Sequence, residues 1–292
     1  MTTPAAPPAV GPEHTEEDSG FSLFDDPTDF YPPSPPPTTQ QYLTQSGVPI
    51  ALHLVGHSPL EAHHLWNGSR VVASHFEEHP SLVRDRTVLE LGAGAGLPSL
   101  VAVALGARKV VVTDFPDPDL VANMWRNIEE CSLLKLEEER IVADGYVWGT
   151  PAGKVLAHLH GKGEEGKGEK FDVLVLADLL FRHSEHGHLL DSIEATMRVA
   201  EESRAFVVFT SYRPWLQHKD LKFFDLARER GFVVEKVLEK KMDRPLFEND
   251  PGDEEVRKTV TGWFVSWPKE YVEGKMTWPA KVSVARGEDE LR

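Results

Sequence analysis

Thr87-Val88-Leu89-Glu90-Leu91-Gly92-Ala93-Gly94-Ala95-Gly96-Leu97-Pro98 decides how this chain folds. Its first five residues form an apolar run with a single acid, the pattern of a strand buried on both faces. Three alternating glycines then allow a tight turn. Leu97 opens a helix, with Pro98 in the first turn, where a missing N–H costs nothing. Strand, glycine turn and helix together make the opening unit of an α/β domain.

Working outward, similar strand runs occur at Lys109–Asp114, Asp172–Asp178 and Ala205–Thr210, with a weaker one at Arg140–Ala143. Helical periodicity fills the gaps at Leu97–Leu105, Leu120–Leu134, Leu189–Glu201 and Lys219–Glu229. This alternation predicts α/β architecture with a doubly wound parallel sheet. Phe232–Leu238 and Thr259–Trp267 read as two more strands joined by a polar loop, so they are expected to be antiparallel neighbours. Ahead of the first unit, residues 40–56 read as a hairpin. Glu61–His79 reads as a helix, with Ser58 as its N-cap and Pro59 in its first turn. The expected domain spans residues 40–275, between an N-terminal tail (1–39) and a C-terminal tail (276–292).

The tail is chemically distinct. The first forty residues hold ten of the 22 prolines and seven acids, with no Lys or Arg. Pro32–Pro37 should be polyproline II, and the segment as a whole is too polar to bury a core. Phe21, Phe24, Phe30 and Tyr31 leave open a second reading, in which the tail docks on the core or covers a basic ligand. The whole chain of 292 residues has a net charge of −16. Such a charge excludes general affinity for nucleic acid or anionic membrane surfaces and suits a basic partner. A single cysteine, Cys131, excludes an internal disulfide framework and cysteine-cluster zinc sites. The N-terminus lacks the basic and apolar regions of a secretory signal. The expected setting is the reducing cytoplasm, and the expected state is a monomer.

The glycine turn points to a nucleotide-type ligand at the carboxyl ends of the strands. Its spacing is Gly92-x-Gly94-x-Gly96 rather than G-x-G-x-x-G, and position 97 is Leu. Glu90 stands just before it. A carboxylate there would repel a pyrophosphate and attract a cation. Asp114 ends the second strand 22 residues after Gly92, where a carboxylate can accept from both ribose hydroxyls. Loop, Glu90 and Asp114 together favour S-adenosylmethionine, which carries a sulfonium and no phosphate. An NAD-linked oxidoreductase is the rival enzymatic reading, and a non-catalytic cofactor-binding adaptor the rival outside enzymology.

Trp148, after the third strand, is a candidate wall for the adenine, with ordinary core packing as the alternative; core packing is the alternative for Trp66 too. Asp178 ends the fourth strand at the same crevice, where it could orient an incoming amine. Its alternative is a helix N-cap. Phe181 could face that amine through its ring. Tyr212 and Trp215 follow the fifth strand at the same rim as candidates for the acceptor channel. His183, His186 and His188 lack metal-site spacing, so no metal is expected. There is no G-x-S-x-G elbow and no P-loop.

These segments resemble a seven-β-strand, class I methyltransferase, and more narrowly methyltransferase family 16. The resemblance runs from about residue 40 to 270 and rests on the segments of Trp66, Glu90–Gly96, Asp114–Pro116, Trp148-Gly149 and Ala177–Phe181. It implies strand order 3-2-1-4-5-7-6 with the last strand antiparallel. It also implies cofactor contacts at Trp66, Gly92, Ala93, Gly94, Asp114, Trp148 and Ala177. The family's acid-x-x-aromatic motif is met by Asp178 and Phe181, while Arg182 stands where Asn would be expected. His64–Ser69 and Leu179–His186 are similar to a fungal branch once labelled nicotinamide N-methyltransferase-like. That similarity implies methylation of the N-terminal glycine and adjoining lysine of translation elongation factor 1-alpha. Another basic protein segment is the alternative substrate.

Overall fold

The computed structural model describes residues 35–134, 139–160 and 169–278. The acidic tail lies outside the described residues as far as Ser34, as does the chain after Trp278. The chain opens with β1 (Thr38–Leu43) and β2 (Pro49–Leu54), which pair antiparallel as a separate two-stranded sheet. Then follow α1 (Asn67–Glu78), β3 (Thr87–Leu91), α2 (Leu97–Ala104), β4 (Lys109–Asp114) and α3 (Pro118–Glu129). Next come β5 (Ile141–Gly145), α4 (Gly153–Ala157), β6 (Val173–Ala177), α5 (His186–Thr196), β7 (Arg204–Thr210) and α6 (Gln217–Glu229). The last elements are β8 (Val233–Lys241), α7 (Glu254–Arg257), β9 (Thr259–Ser266) and α8 (Lys269–Val272).

Seven strands form one mixed sheet in the order β5-β4-β3-β6-β7-β9-β8. The five from β5 to β7 run parallel, and β9 runs antiparallel to both its neighbours. The expected doubly wound topology and its reversed final strand are thus present. Side chains alternate between two cores. Val88, Val110, Val112, Val175, Phe206 and Val208 join the face packed on α1, α2 and α3. Leu89, Leu91, Val111, Leu174, Val207 and Phe209 join the face packed on α5 and α6. Burial on both faces explains why these strands are apolar throughout. Among the described residues, no helix is long and apolar enough to cross a membrane.

Helix boundaries follow local chemistry. Asp117 caps α3 by accepting from the N–H groups of Asp119 and Leu120, and Pro118 fills the first turn. In α1 the apolar face is Val71, Val72, Ala73 and Phe76, all buried. That helix begins at Asn67, not at Glu61 as the periodicity suggests. The cause is local: Glu61 sits at φ 62°, its carbonyl accepts from the Trp66 indole N–H at 3.0 Å, and Trp66 is extended. α5 ends at Thr196, before the expected Glu201, because extended Met197 bridges Phe171 beside the sheet. α4 had no counterpart in the sequence reading; it has only five residues, too few for periodicity to register. At the other end, Trp278 packs on Phe232, Trp267 and Tyr271. β8 closes the sheet as a mostly exposed edge, carrying Glu235, Lys236, Glu239, Lys240 and Lys241.

Phe206 is fully buried and touches His75 and Phe76 of α1 and Phe264 of β9. Truncation there removes both transfer energy and packing, so Phe206→Ala should destabilise the fold by about 3–5 kcal/mol. Urea denaturation checks this, with a lower midpoint at an unchanged slope expected.

Candidate active site

A cavity of about 270 Å³ opens over the carboxyl ends of β3, β4 and β6. Its floor is the glycine turn. Gly92, Gly94 and Gly96 have φ of 60°, 54° and 76°, a left-handed region that other residues rarely adopt. A Cβ on Gly92 would lie 2.6 Å from Leu179 and 3.0 Å from Trp148, both in the cavity wall. The three-glycine spacing therefore answers a backbone requirement and a steric one together.

Three strand ends place a carboxyl in this cavity. Glu90 is buried, and its Oε2 accepts from the backbone N–H and hydroxyl of Ser99 in the first turn of α2, at 3.0 and 2.5 Å. Burial pushes its pKa up to about 8, against the pull of those hydrogen bonds. Asp114 accepts from Gly94 N–H on Oδ2 and from Phe115 N–H on Oδ1, both at 2.7 Å. Its pKa is also raised by burial. Asp178 accepts from Gly68 N–H at 2.5 Å and Thr210 N–H at 2.8 Å, and burial lifts it to about 7.

The cavity wall brings together Trp66, Glu90, Gly92, Ala93, Gly94, Asp114, Trp148 and Ala177, the residues expected at the cofactor, with Asp178 and Phe181 of the acceptor set. Tyr212 stands behind them. Its ring meets Trp66 edge-on at 5.0 Å, and its hydroxyl accepts from Asn67 N–H at 3.3 Å. Phe181 stacks parallel to Trp66 at 6.0 Å. Trp215 is 52% exposed and packs near Gly252, apart from the cavity lining. Arg182 lines the cavity, and its charge acts on Asp114 and Glu185. Asp178 does not cap the segment that follows it. It adopts φ 54° and bonds the amide of Gly68, at the start of a remote helix.

Sequence reasoning missed Phe247, which reaches from the β8–α7 loop to within 5.6 Å of Trp66 and 5.7 Å of Tyr212, ring to ring. The signal available was the apolar trio Pro245-Leu246-Phe247 inside a polar loop. It also missed the wall from Leu60 to Leu65, read as helix.

The donor set fits S-adenosylmethionine. A carboxylate-rich wall suits a sulfonium and an ammonium, and opposes a pyrophosphate. Asp114 keeps a free lone pair on each oxygen for ribose hydroxyls. Gly68 tests the geometry, because a Cβ there would lie 2.5 Å from Asp178 Oδ2 and 3.1 Å from the Val208 carbonyl. Gly68→Ala should therefore part α1 from Asp178 and lower the melting temperature by several degrees, about 1–3 kcal/mol, for the orphaned carboxyl. Differential scanning calorimetry reads it.

Comparison with known proteins follows the same line. Residues 57–230 match the family model described as lysine methyltransferase. A protein N-terminal and lysine N-methyltransferase of Neurospora crassa is 65% identical over 264 residues, covering 87% of this chain and 93% of that one. A protein of the same description from Gibberella zeae is 56% identical, covering 87% and 98%. One from Schizosaccharomyces pombe is 40% identical, covering 85% and 96%. Among solved structures, a protein from Streptococcus mutans assigned as a SAM-dependent methyltransferase superposes with a TM-score of 0.50 at 12% identity. It covers 78% of this chain and 55% of that one, a likeness of fold. The cofactor is S-adenosylmethionine, and the chain belongs to the lysine methyltransferase family.

Proposed function

We propose that this protein methylates the N-terminal α-amine and the adjacent lysine of a basic protein segment, that of translation elongation factor 1-alpha, in the cytoplasm and as a monomer. The observation that carries the reading is the aromatic end of the cavity. Trp66 and Phe181 lie in its wall beside Asp178, with Tyr212 and Phe247 packed on Trp66. Aromatic faces next to a carboxyl suit an amine and its methylated forms. The descriptions of the relatives support the same chemistry. The net charge of −16 suits a basic substrate.

When bound, S-adenosylmethionine supplies an electrophilic methyl group on a sulfonium. The chain's residues hold the acceptor nitrogen in line with it. Asp114 would hold the ribose hydroxyls, and Trp148 and Leu179 bound the pocket over Gly92. Asp178 accepts from the Gly68 and Thr210 amides and from the Tyr212 hydroxyl, and would orient the amine through the lone pair left free. The attacking amine must be neutral. An α-amine, with a pKa of about 7.7–8.0, is partly neutral near pH 7, whereas a lysine near 10.4 faces about 4 kcal/mol. Burial in the cavity would lower that cost, against the ring faces and Asp178, which favour the ammonium.

Asp178→Ala should lower turnover about 100-fold or more while S-adenosylmethionine affinity changes only a few-fold. Stopped-assay kinetics and calorimetry read the two, and an equal loss of both would count against an acceptor role. The raised pKa of Glu90 sets a pH dependence. A cationic cofactor stabilises its ionised form, so binding releases a proton. Affinity for S-adenosylmethionine should therefore rise from pH 6 to pH 8, and Glu90→Gln should flatten the rise. The substrate itself is tested by incubating elongation factor 1-alpha, its initiator Met removed, with enzyme and cofactor. Peptide mass spectrometry should show methyl additions on the first two residues. Binding of cofactor without that gain would redirect the search to other basic proteins.

A further inference from the structure

Glu61, His63 and His64 form a cluster that the methyl-transfer chemistry leaves without a role. One ligand atom from each lies within 4.8 Å of the others. Glu61 Oε2 is 4.0 Å from His63 Nε2 and 4.0 Å from His64 Nε2, and the two imidazole rings are 4.0 Å apart. All three side chains are half-buried. The backbone holds them in this arrangement. Glu61 N–H donates to the Ser58 carbonyl, Glu61 is left-handed, and its own carbonyl is pinned by the Trp66 indole. A continuous helix here would instead turn residues 63 and 64 about 100° apart.

We propose that these three side chains bind a divalent ion of the zinc class, and that the bound ion closes the acceptor mouth. Two imidazoles and a carboxylate are a zinc donor set that leaves one position open. Ligand atoms on bonds of about 2.1 Å stand about 3.4 Å apart in a tetrahedron. The two carboxylate–imidazole distances, 4.0 Å here, would have to shorten by about 0.6 Å. His63 Nδ1 receives a long contact from Ser58 N–H at 3.4 Å. Metal on Nε2 places the ring proton on Nδ1 and releases that contact. A second cluster, His75, Glu78 and His79 at the end of α1, is the weaker candidate. There Glu78 Oε1 is already held by Ser74 Oγ at 3.0 Å and Gln45 Nε2 at 3.3 Å.

The position gives the ion its effect. Glu61 and His64 line the cavity, and His64 meets Trp66 and Phe247 edge-on at 5.5 and 5.1 Å. An ion there leaves net positive charge beside the aromatic end, where a cationic amine must arrive. It also pins His64 and the Leu60–Leu65 wall. Binding should therefore inhibit transfer by weakening the acceptor, not the cofactor. That consequence rests on the proposed methylation of an amine; the metal site does not.

The test uses the full chain and two variants, His63→Gln and His75→Gln, neither at a cavity-lining position. Zn²⁺ titration by calorimetry should show one site that His63→Gln weakens about tenfold or more and His75→Gln leaves intact. Co²⁺ should give the visible bands of a low-coordinate site with the same dependence. No binding, binding indifferent to His63→Gln, or binding lost only in His75→Gln would overturn the site. In transfer assays, Zn²⁺ should raise the acceptor KM, a chelator should restore it, and His63→Gln should resist. Equal inhibition of wild type and His63→Gln would overturn the closure. Should no acceptor be methylated, the proposed function fails while the metal titrations still decide the site.

Discussion

A carboxyl at the end of a strand, accepting a backbone N–H from the loop beside it, is the interaction on which this molecule's functional face depends. It occurs three times. Glu90 at the end of β3 holds the first turn of α2, Asp114 at the end of β4 holds the glycine turn, and Asp178 just past β6 holds α1 and β7. Each bond satisfies an amide that a helix start or tight turn would otherwise leave without a partner. Hydrogen bonds to a buried acid are strong because the surroundings screen little. The aromatic groups inherit their places from these anchors. Trp66 immediately precedes the helix that Asp178 grips, and Phe181 follows Asp178 by three residues.

The same burial that strengthens these bonds resists ionisation. Desolvation is the largest influence on all three acids, and it raises each of them. Glu90, at about 8, and Asp178, at about 7, are therefore partly protonated near neutrality. A cation entering the cavity supplies the charge that the protein omits, so the fold and its ligand complete one electrostatic arrangement. This explains how Glu90 and Asp178 can share one cavity with Asp114 without self-repulsion opening it. It also explains why Arg182, whose charge reaches Asp114 and Glu185, is tolerated in the wall.

What could be read in the sequence was whatever has a period or a steric rule. β3, β4, β6 and β7 were visible because strands buried on both faces are nearly all apolar. The glycine turn was visible because its positive φ values demand glycine at three alternate positions. Asp114 and Asp178 were visible as acids closing apolar runs. The stretch from Glu61 to Trp66 was misread because its helical pattern is overridden by one left-handed residue and one indole hydrogen bond, neither of which leaves a periodic trace. Phe247 was overlooked because it reaches Trp66 across 181 positions of chain, a juxtaposition only the topology supplies. For Asp178 the sequence showed a carboxyl at the crevice but not the amides of Gly68 and Thr210 that occupy it.

The antiparallel end of the sheet has a consequence of its own. β8 leaves one row of backbone groups unpaired along an exposed strand, which invites another chain to add itself. Lys236, Glu239, Lys240 and Lys241 crowd that edge, and the Lys236 ammonium reaches both the Glu239 carboxylate and the Trp263 ring. An incoming strand would have to strip water from this charged row before its first ladder bond formed. At the crowded concentrations of a cell, this edge of the sheet therefore resists seeding a fibril.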